Sequence, residues 1–577
     1  MSDNRPIIFV VECDDDALAV VQDALVRRFG ADYRVIGECA PQAALAALRR
    51  LNDGGEEVAV ALAGQWLQGI DGIRLMEEIG ELHPLAKRAL LIDWGEWAHR
   101  PTAEAIFEGM ANDHLDYYLI RPVEPPDEHF HRLVGEFLYE WSRRRSRSAL
   151  EITLVAEQWS PRGHEIRDLL ARTGVPHRFE RSDGPEGHRL LNEVGQSDAN
   201  TPVGIMRDGR VLVDPSNPEL IEAFGVDTTL EDDRRDFDVV IVGAGPAGLT
   251  AAVYASSEGL STLVVDREGV GGQASASSLI RNYLGFSRGI GGAELASNAY
   301  QQAWVFGTRF LLAREATAVR LEGARPVLEI SGEDPVTASA VILATGISYR
   351  RIGIPALEEL TGAGVYYGAS SSEAAALSDE PVYVVGGGNS AGQVAMHLCR
   401  YASHVTLVVR KETLADSMSQ YLRQALAATS NIEVRHGVEV VDGGGGSRLE
   451  WLALRDRESG ETQRVDAAGL FVLIGAEPHT GWLPDEIERD DGGYLLTGSE
   501  LVRDGRVGDA WPLERAPLIL ETSTPRVFAI GDARHGSTQR VAAAVGEGSV
   551  VVEQLHQLLS EAGPQEYSER PGTRLVR

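Results

Sequence analysis

The sequence predicts a multidomain α/β chain assembled from several parallel-sheet units. Three observations predict it. The 577-residue length corresponds to about four domains at roughly 150 residues each. Short apolar runs alternate with amphipathic segments along most of the chain, the pattern of successive βαβ units. Two of those runs lead directly into a glycine-rich loop and a helix. The 43% hydrophobic content and 62 glycines fit such units and exclude a disordered chain.

Residues 1–141 carry the runs "IIFVV", "VAVALA", "ALLI" and "YYLI" between amphipathic segments, and are expected to form a first α/β domain. A charged linker is expected at 142–148, "SRRRSRS". Residues 149–226 repeat the style on a smaller scale: strand "EITLVA", helix "HEIRDLLARTG", strand "HRFER", then "TPVGIMRDGRVLV". A second linker, 227–236, falls in "VDTTLEDDRRD". Two strand–Gly loop–helix units follow. The only low-complexity tract is the expected loop Gly443–Gly446.

In the first of these units, "FDVVIVGAGPAGLTAAVYASSEGLSTLVVD", the glycines Gly243, Gly245 and Gly248 follow an apolar strand and open a helix. Asp266 ends the next strand. This is a dinucleotide-binding fingerprint: the glycines permit a tight turn and close backbone approach, the helix N-terminus faces a pyrophosphate, and the acid accepts ribose hydroxyls. In the second, "PVYVVGGGNSAGQVAMHLCRYASHVTLVVRK", Gly386, Gly388 and Ala391 take the same places. Its second strand ends in Arg410 and Lys411 instead of an acid, which favours NADP over NAD. The alternative is that both cations are merely solvated. Two such units suggest one flavin and one nicotinamide nucleotide. Near the C-terminus, "TPRVFAIGDARHGSTQRVAAAVGEGS" would set Asp532, after Gly531, on a ribityl hydroxyl. It would also aim a helix starting near Arg540 and Val541 at the flavin edge where negative charge develops.

On these motifs, with "GGQ" (Gly271–Gln273), "NYLGF" (Asn282–Phe286) and "ILATG" (Ile342–Gly346), residues 237–577 resemble the thioredoxin reductase family. The resemblance implies an FAD domain, 237–352 plus 475–577, with an NAD(P) domain, 353–474, inserted. It implies FAD contacts at Gly243, Gly245, Pro246, Ala247, Gly248, Asp266, Arg267, Gly272, Gln273, Asn282, Ala344, Thr345, Gly346, Gly531, Asp532, Arg540 and Val541. It implies NAD(P) contacts at Gly386, Gly388, Asn389, Ser390, Ala391, Arg410 and Lys411. It also implies a homodimer formed through the FAD domain, and a nicotinamide domain that rotates. Two departures matter. Where the family has an His-Arg-Arg run and a later Arg, this chain has Val409-Arg410-Lys411 and Ala415. Where the family has its redox cysteine pair, this chain reads Gly368-Ala369-Ser370-Ser371. The cysteines are missing at Gly368 and Ser371, and serine has no thiol–disulfide exchange. Cysteine at both positions is the change expected to restore flavin–dithiol communication. Tyr366 and Tyr367 are candidates to line the flavin opening or to pack beneath it.

Residues 1–141 resemble a response-regulator receiver domain with its chemistry removed. The phosphoacceptor position falls on Gly64, the hydroxyl position on Ile92, the lysine position on Arg121, and the acidic pair on Glu12-Cys13-Asp14. A pseudo-receiver that docks a protein partner or senses a ligand is expected; the alternative is that Asp71 or Asp93 accepts phosphate. Residues 149–226 resemble the glutaredoxin/thioredoxin fold: "WSPRGH" puts Ser160 and Gly163 at the cysteine positions, and Thr201–Val203 matches the family's cis-proline turn.

The resulting fold class is an α/β multidomain chain. It comprises a receiver-like doubly wound sheet, a thioredoxin-like fold, and two Rossmann-type domains, the NAD(P) domain inserted in the FAD domain. The expected function is an FAD-dependent NAD(P)H oxidoreductase, with an unidentified acceptor other than a protein dithiol. The alternatives are a non-catalytic redox- or nucleotide-sensing regulatory flavoprotein and a ferredoxin/flavodoxin–NADP reductase. No metal site is expected. The net charge of −32 argues against nucleic-acid and anionic-membrane partners. No apolar run approaches the ~18 residues of a membrane span, and no leader is read in "MSDNRPIIFVVE". The three cysteines, Cys13, Cys39 and Cys399, fit a reducing cytoplasm. They are expected to be separate thiols, with a regulatory Cys13–Cys39 disulfide as the alternative.

Overall fold

The computed structural model describes residues 5–67, 69–111, 114–123, 126–145, 150–199, 202–225, 229–230, 235–277, 279–368, 374–415, 417–503, 506–507 and 511–561. The chain forms two compact units, Met1–Ala149 and Leu150–Arg577.

In the first unit, β1 (Ile7–Val11), β2 (Arg34–Glu38), β3 (Val58–Gly64), β4 (Lys87–Ile92) and β5 (Tyr117–Ile120) form a parallel sheet of order β2-β1-β3-β4-β5. The intervening helices are α1 (Asp15–Phe29), α2 (Pro41–Asp53), α3 (Gly72–Leu82), α4 (Arg100–Ala111) and α5 (Glu128–Arg145). Both faces are covered, so the strands read as apolar runs. Ile7, Phe9 and Val11 enter one core and Ile8 and Val10 the other. Asp14 caps α1 by accepting the Ala17 N–H at 2.9 Å, and Asp71 caps α3 through the Arg74 N–H at 2.9 Å. Helix α5 runs to Arg145, so the expected linker 142–148 begins as helix; residues 146–149 lie outside the described residues.

The second unit begins with β6 (Ile152–Ala156), α6 (Pro161–Arg172), β7 (His177–Arg181), α7 (Pro185–Glu193), β8 (Val203–Met206), β9 (Val211–Val213) and α8 (Asn217–Ala223). The sheet order is β7-β6-β8-β9, with β6 parallel to β7 and antiparallel to β8. Helix α6 starts three residues before the expected "HEIRDLLARTG", because Ser160 caps it and Pro161 opens it.

A larger sheet follows: β10 (Asp236–Val242), β11 (Thr262–Asp266), β12 (Arg309–Leu312), β13 (Ala316–Glu322), β14 (Arg325–Ile330) and β15 (Val336–Leu343), in the order β12-β11-β10-β15-β14-β13. Strand Val527–Ala529 from the far end of the chain pairs with β15. Helices α9 (Pro246–Ser257), α10 (Gly272–Ser275) and α11 (Gly292–Val305) belong to this part, as does the C-terminal helix Val541–Glu561. The chain leaves along β16 (Ile347–Tyr349), passes α12 (Pro355–Glu358), and builds a second parallel sheet. Its strands are β17 (Val365–Tyr367), β18 (Pro381–Val385), β19 (His404–Val409) and β20 (Ile432–His436), with α13 (Asn389–Leu398) after β18. A three-stranded sheet, β21 (Val438–Gly444), β22 (Trp451–Asp456) and β23 (Thr462–Asp466), precedes β24 (Gly469–Val472), which completes the order β17-β24-β18-β19-β20. Gly443 and Gly444 thus end a strand, where a loop was expected. The return strand β25 (Ala476–Pro478) pairs antiparallel with β16.

Candidate functional site

The first glycine loop joins β10 to α9, and each glycine is needed for a different reason. A Cβ on Gly243 would lie 2.2 Å from the Ala344 carbonyl oxygen, and one on Gly248 1.9 Å from the Gly243 carbonyl oxygen. These contacts draw the Ala344–Thr345–Gly346 segment and α9 onto the loop. Around Gly245 the space is open, with no atom within 4 Å of a Cβ. That is the cradle a pyrophosphate requires, and the first N–H groups of α9 face it. Pro246 and Ala247 begin that helix. Gly271 N–H donates to the Ala244 carbonyl at 2.8 Å, and Gly272 sits against Gly245, bringing Gln273 to the same cleft.

From the far end of the chain, Gly531 packs on Ala247 and Gly548 on the Ala247 carbonyl. Segments before and after the second parallel sheet therefore meet at the start of α9. The Gly531 N–H donates to Glu547 Oε2 at 2.6 Å. Burial raises the Asp532 carboxyl above its ordinary range, against a hydrogen bond from the Ser537 hydroxyl at 3.2 Å. Val541 opens the C-terminal helix. The Thr345 hydroxyl is buried with no partner among the described residues. An open cradle, a helix N-terminus and an orphaned hydroxyl fit a dinucleotide cofactor.

Four further expected contacts are placed as follows. Asp266 accepts the backbone N–H groups of Ala244, Glu268 and Gly269 at 2.7, 2.8 and 2.9 Å. It therefore holds the loop's shape, a role beyond the ribose acceptor expected of it; burial raises its carboxyl despite these donors. Arg267 reaches His479 Nε2 at 3.0 Å. Asn282 is exposed in the turn closed by the Ile280–Ile290 bridge, and Arg540 is also exposed.

The second glycine loop repeats the design. A Cβ on Gly386 would meet the Leu473 carbonyl oxygen at 2.4 Å, while Gly388 is open. Ala391 is buried on α13. Asn389 uses its side-chain oxygen to accept the Ser419 N–H at 2.8 Å, and the Ser417 hydroxyl donates to the Gly387 carbonyl at 2.7 Å. These bonds fold the segment after Lys411 onto the loop, a contribution sequence reading missed. Ser390 is exposed, as are Arg410 and Lys411 just beyond β19. Arg457 donates to the Arg410 carbonyl at 3.1 Å, which adds a third cation to that end of the sheet.

At the place of the missing cysteines, Gly368 follows β17 with φ +84°. A Cβ there would lie 2.3 Å from Tyr349 Cε2. Ser371 lies outside the described residues. Both tyrosines are engaged by packing or hydrogen bonds. Tyr366 is 1% exposed and packs between Phe471 and His164, at centroid distances of 5.1 and 5.4 Å. Tyr367 donates to Glu358 Oε1 at 2.7 Å and lies under the Arg351 guanidinium. Burial and the Glu358 carboxylate push its hydroxyl up to about 12.

Two further motif positions are filled by packing. At the C-terminal end of the first sheet, Arg121 Nη2 donates to Glu12 Oε2 at 2.8 Å and also pairs with Asp93. A Cβ on Gly64 would meet that same Glu12 oxygen at 2.8 Å. Asp93 and Asp71 are thus engaged, one by Arg121 and one as a helix cap. Ser160 accepts the Gly163 N–H at 3.0 Å. Pro202 precedes β8; Thr201 lies outside the described residues. All three cysteines are free thiols. Among the described residues no helix is long and apolar enough to cross a membrane.

Part of the chain is similar to known proteins. The chain is similar to thioredoxin reductase of Treponema pallidum, 32% identical over 317 residues, 55% of this chain and 95% of that protein. It is similar to thioredoxin reductase of Mycolicibacterium smegmatis, 33% identical over 311 residues, 54% and 93%. The crystal structure of T. acidophilum thioredoxin reductase matches at 28% identity, covering 57% of this chain and 100% of that one, with a TM-score of 0.49. The family model for pyridine nucleotide-disulphide oxidoreductases matches residues 237–548, the span holding both glycine loops. The chain therefore belongs to the pyridine nucleotide-disulphide oxidoreductase family, whose members are FAD- and NAD(P)H-dependent.

Proposed function

We propose that the protein is an FAD-dependent NAD(P)H oxidoreductase that passes electrons to an acceptor other than a protein dithiol. One observation carries the reading. Both clefts keep their open second glycine, while the redox-pair position holds Gly368 pressed against Tyr349. When bound, the nicotinamide supplies a hydride and the flavin accepts it. The chain's own work is placement and exclusion of water. The N–H groups at the start of α9 would hold the pyrophosphate, Asp532 a ribityl hydroxyl, and the Thr345 hydroxyl a polar atom of the flavin nucleotide. The start of the C-terminal helix favours negative charge at the ring. Arg410 and Lys411 support NADP over NAD.

The test is anaerobic mixing of the yellow protein with NADPH and then NADH. Prompt bleaching of the flavin band is expected, faster with NADPH; no bleaching with either overturns the reading. A screen of quinones, oxygen and small redox proteins then identifies the acceptor. The net charge of −32 disfavours an acidic ferredoxin.

A regulatory flavoprotein is the second reading. It is favoured by two modules whose expected chemistry is absent. In the first unit, taken as a pseudo-receiver, Arg121 and Glu12 fill the acidic pocket; in the thioredoxin-like module, Ser160 and Gly163 replace the cysteines. A cytoplasmic homodimer with these modules as docking elements belongs to the same proposal.

A further inference from the structure

Helix α6 touches both nucleotide domains, one at each of its ends. At its N-terminal end, Trp159 packs against the cores on both faces of the β17–β20 and β24 sheet. The Arg448 guanidinium lies 5.3 Å over the Trp159 ring and pairs with Glu380. His164 packs on Tyr366 and on the turn at Gly362, where a Cβ would meet it at 3.0 Å. At the C-terminal end, Arg172 pairs with Glu268 at 2.7 Å, just after the Asp266 that shapes the flavin loop. Thr173 and Leu169 cover Gly269. The Arg172 charge also acts on Tyr349 of β16. Trp159 and His164 flank the two positions, Ser160 and Gly163, where a redox pair would stand.

Between the two large sheets the chain passes only along β16 and β25, three residues each. A two-stranded ribbon of that size holds little orientation by itself, and such element ends are where hinge motion is absorbed. A 12-residue helix is about 18 Å long, enough to brace one side of that hinge against the other.

We propose that the thioredoxin-like module is an internal clasp. Its cysteine-free face is occupied by the nicotinamide domain, and α6 fixes the angle between the two nucleotide domains. The module therefore acts on the chain's own reductase half and not as a carrier of electrons. The face it would offer a dithiol partner is already covered.

The test reads the angle, not turnover, so it does not depend on the electron acceptor or on bleaching by NAD(P)H. In the full-length chain, with Cys13, Cys39 and Cys399 replaced, spin labels are attached at Ala324→Cys and Glu458→Cys, exposed on the two domains. Pulsed electron spin resonance measures the distance distribution. The parent should give one narrow peak, and Trp159→Ala with Arg172→Ala should broaden or split it. A broad parent distribution overturns the proposal, as does an unchanged narrow one in the double variant. Where the double variant does not fold, Arg172→Gln alone, which removes only the charged end of the clasp, is read in the same way.

Discussion

Gly368 lies directly beneath the ring of Tyr349, with 2.3 Å between Tyr349 Cε2 and the point a Cβ would occupy. The backbone there is left-handed, at φ +84°. Cysteine at 368 and 371, expected to restore flavin–dithiol communication, therefore has to displace the Tyr349 ring at its first position. Gly368→Cys should destabilise the protein by about 2–4 kcal/mol, from backbone strain plus overlap. Chemical denaturation reads the loss. Gly368→Cys with Tyr349→Ala, which removes the overlap, should recover part of it; full stability in the single variant would contradict this account.

The two open glycines predict a separation of folding from cofactor binding. Gly245→Ala meets no atom within 4 Å, so the apoprotein should keep its stability to within about 0.5 kcal/mol. Its methyl group occupies the cradle, and FAD affinity should fall at least about tenfold, roughly 1.4 kcal/mol. Gly248→Ala places its Cβ 1.9 Å from a backbone oxygen and should yield colourless, less stable protein. Absorbance ratio and melting temperature together distinguish the two.

In the first unit, Glu12 is buried beneath Arg121, at 2.8 Å. Removing the guanidinium strands a carboxylate out of water, so Arg121→Ala should cost that unit about 2–3 kcal/mol. Gly64→Asp puts a second carboxylate against Glu12 and should not be phosphorylated by acetyl phosphate. Labelling at residue 64 would show that Glu12 yields the space.

Glu358 and Tyr367 set limits at both ends of the pH scale. Burial alone would raise the Glu358 carboxyl. Hydrogen bonds from the Tyr367 hydroxyl, the Gly353 N–H and Arg351 outweigh it and hold the group below its ordinary 4.5. This contribution is present above pH 4.5 and lost as pH falls through the depressed value. Tyr367, raised from 10.0 to about 12, stabilises below pH 10 and loses that contribution as pH rises toward 12. Glu358→Gln should cost about 1–2 kcal/mol at neutral pH and flatten the acid limb. An unchanged acid limb would show the bond is not made.

Much of the reductase half was legible in local sequence. A glycine loop between a buried strand and a helix is a short-range device, so the places of Gly243, Gly245, Gly248, Gly386 and Gly388 at strand-to-helix turns were legible. The contact between Gly248 and Gly243 is local, whereas Gly243 is closed by Ala344 and Gly386 by Leu473, both far along the chain. Other roles depend on residues far apart in the chain. For Asp266, read as a ribose acceptor, the sequence did not show that its oxygens also accept the N–H groups of Ala244, Glu268 and Gly269.

What the sequence by itself determined is the pair of glycine loops and the residues at the positions expected of a redox pair and a phosphoacceptor: Gly368 and Ser371, Ser160 and Gly163, and Gly64. What only the tertiary structure decided is what fills the emptied places. Tyr349 covers Gly368, Glu12 covers Gly64, and His164 packs on Tyr366. Those pairs lie 19, 52 and 202 residues apart in sequence, so no local pattern reports them. They meet because close packing leaves no void where a reactive side chain is absent, and whatever the fold brings nearby must occupy it.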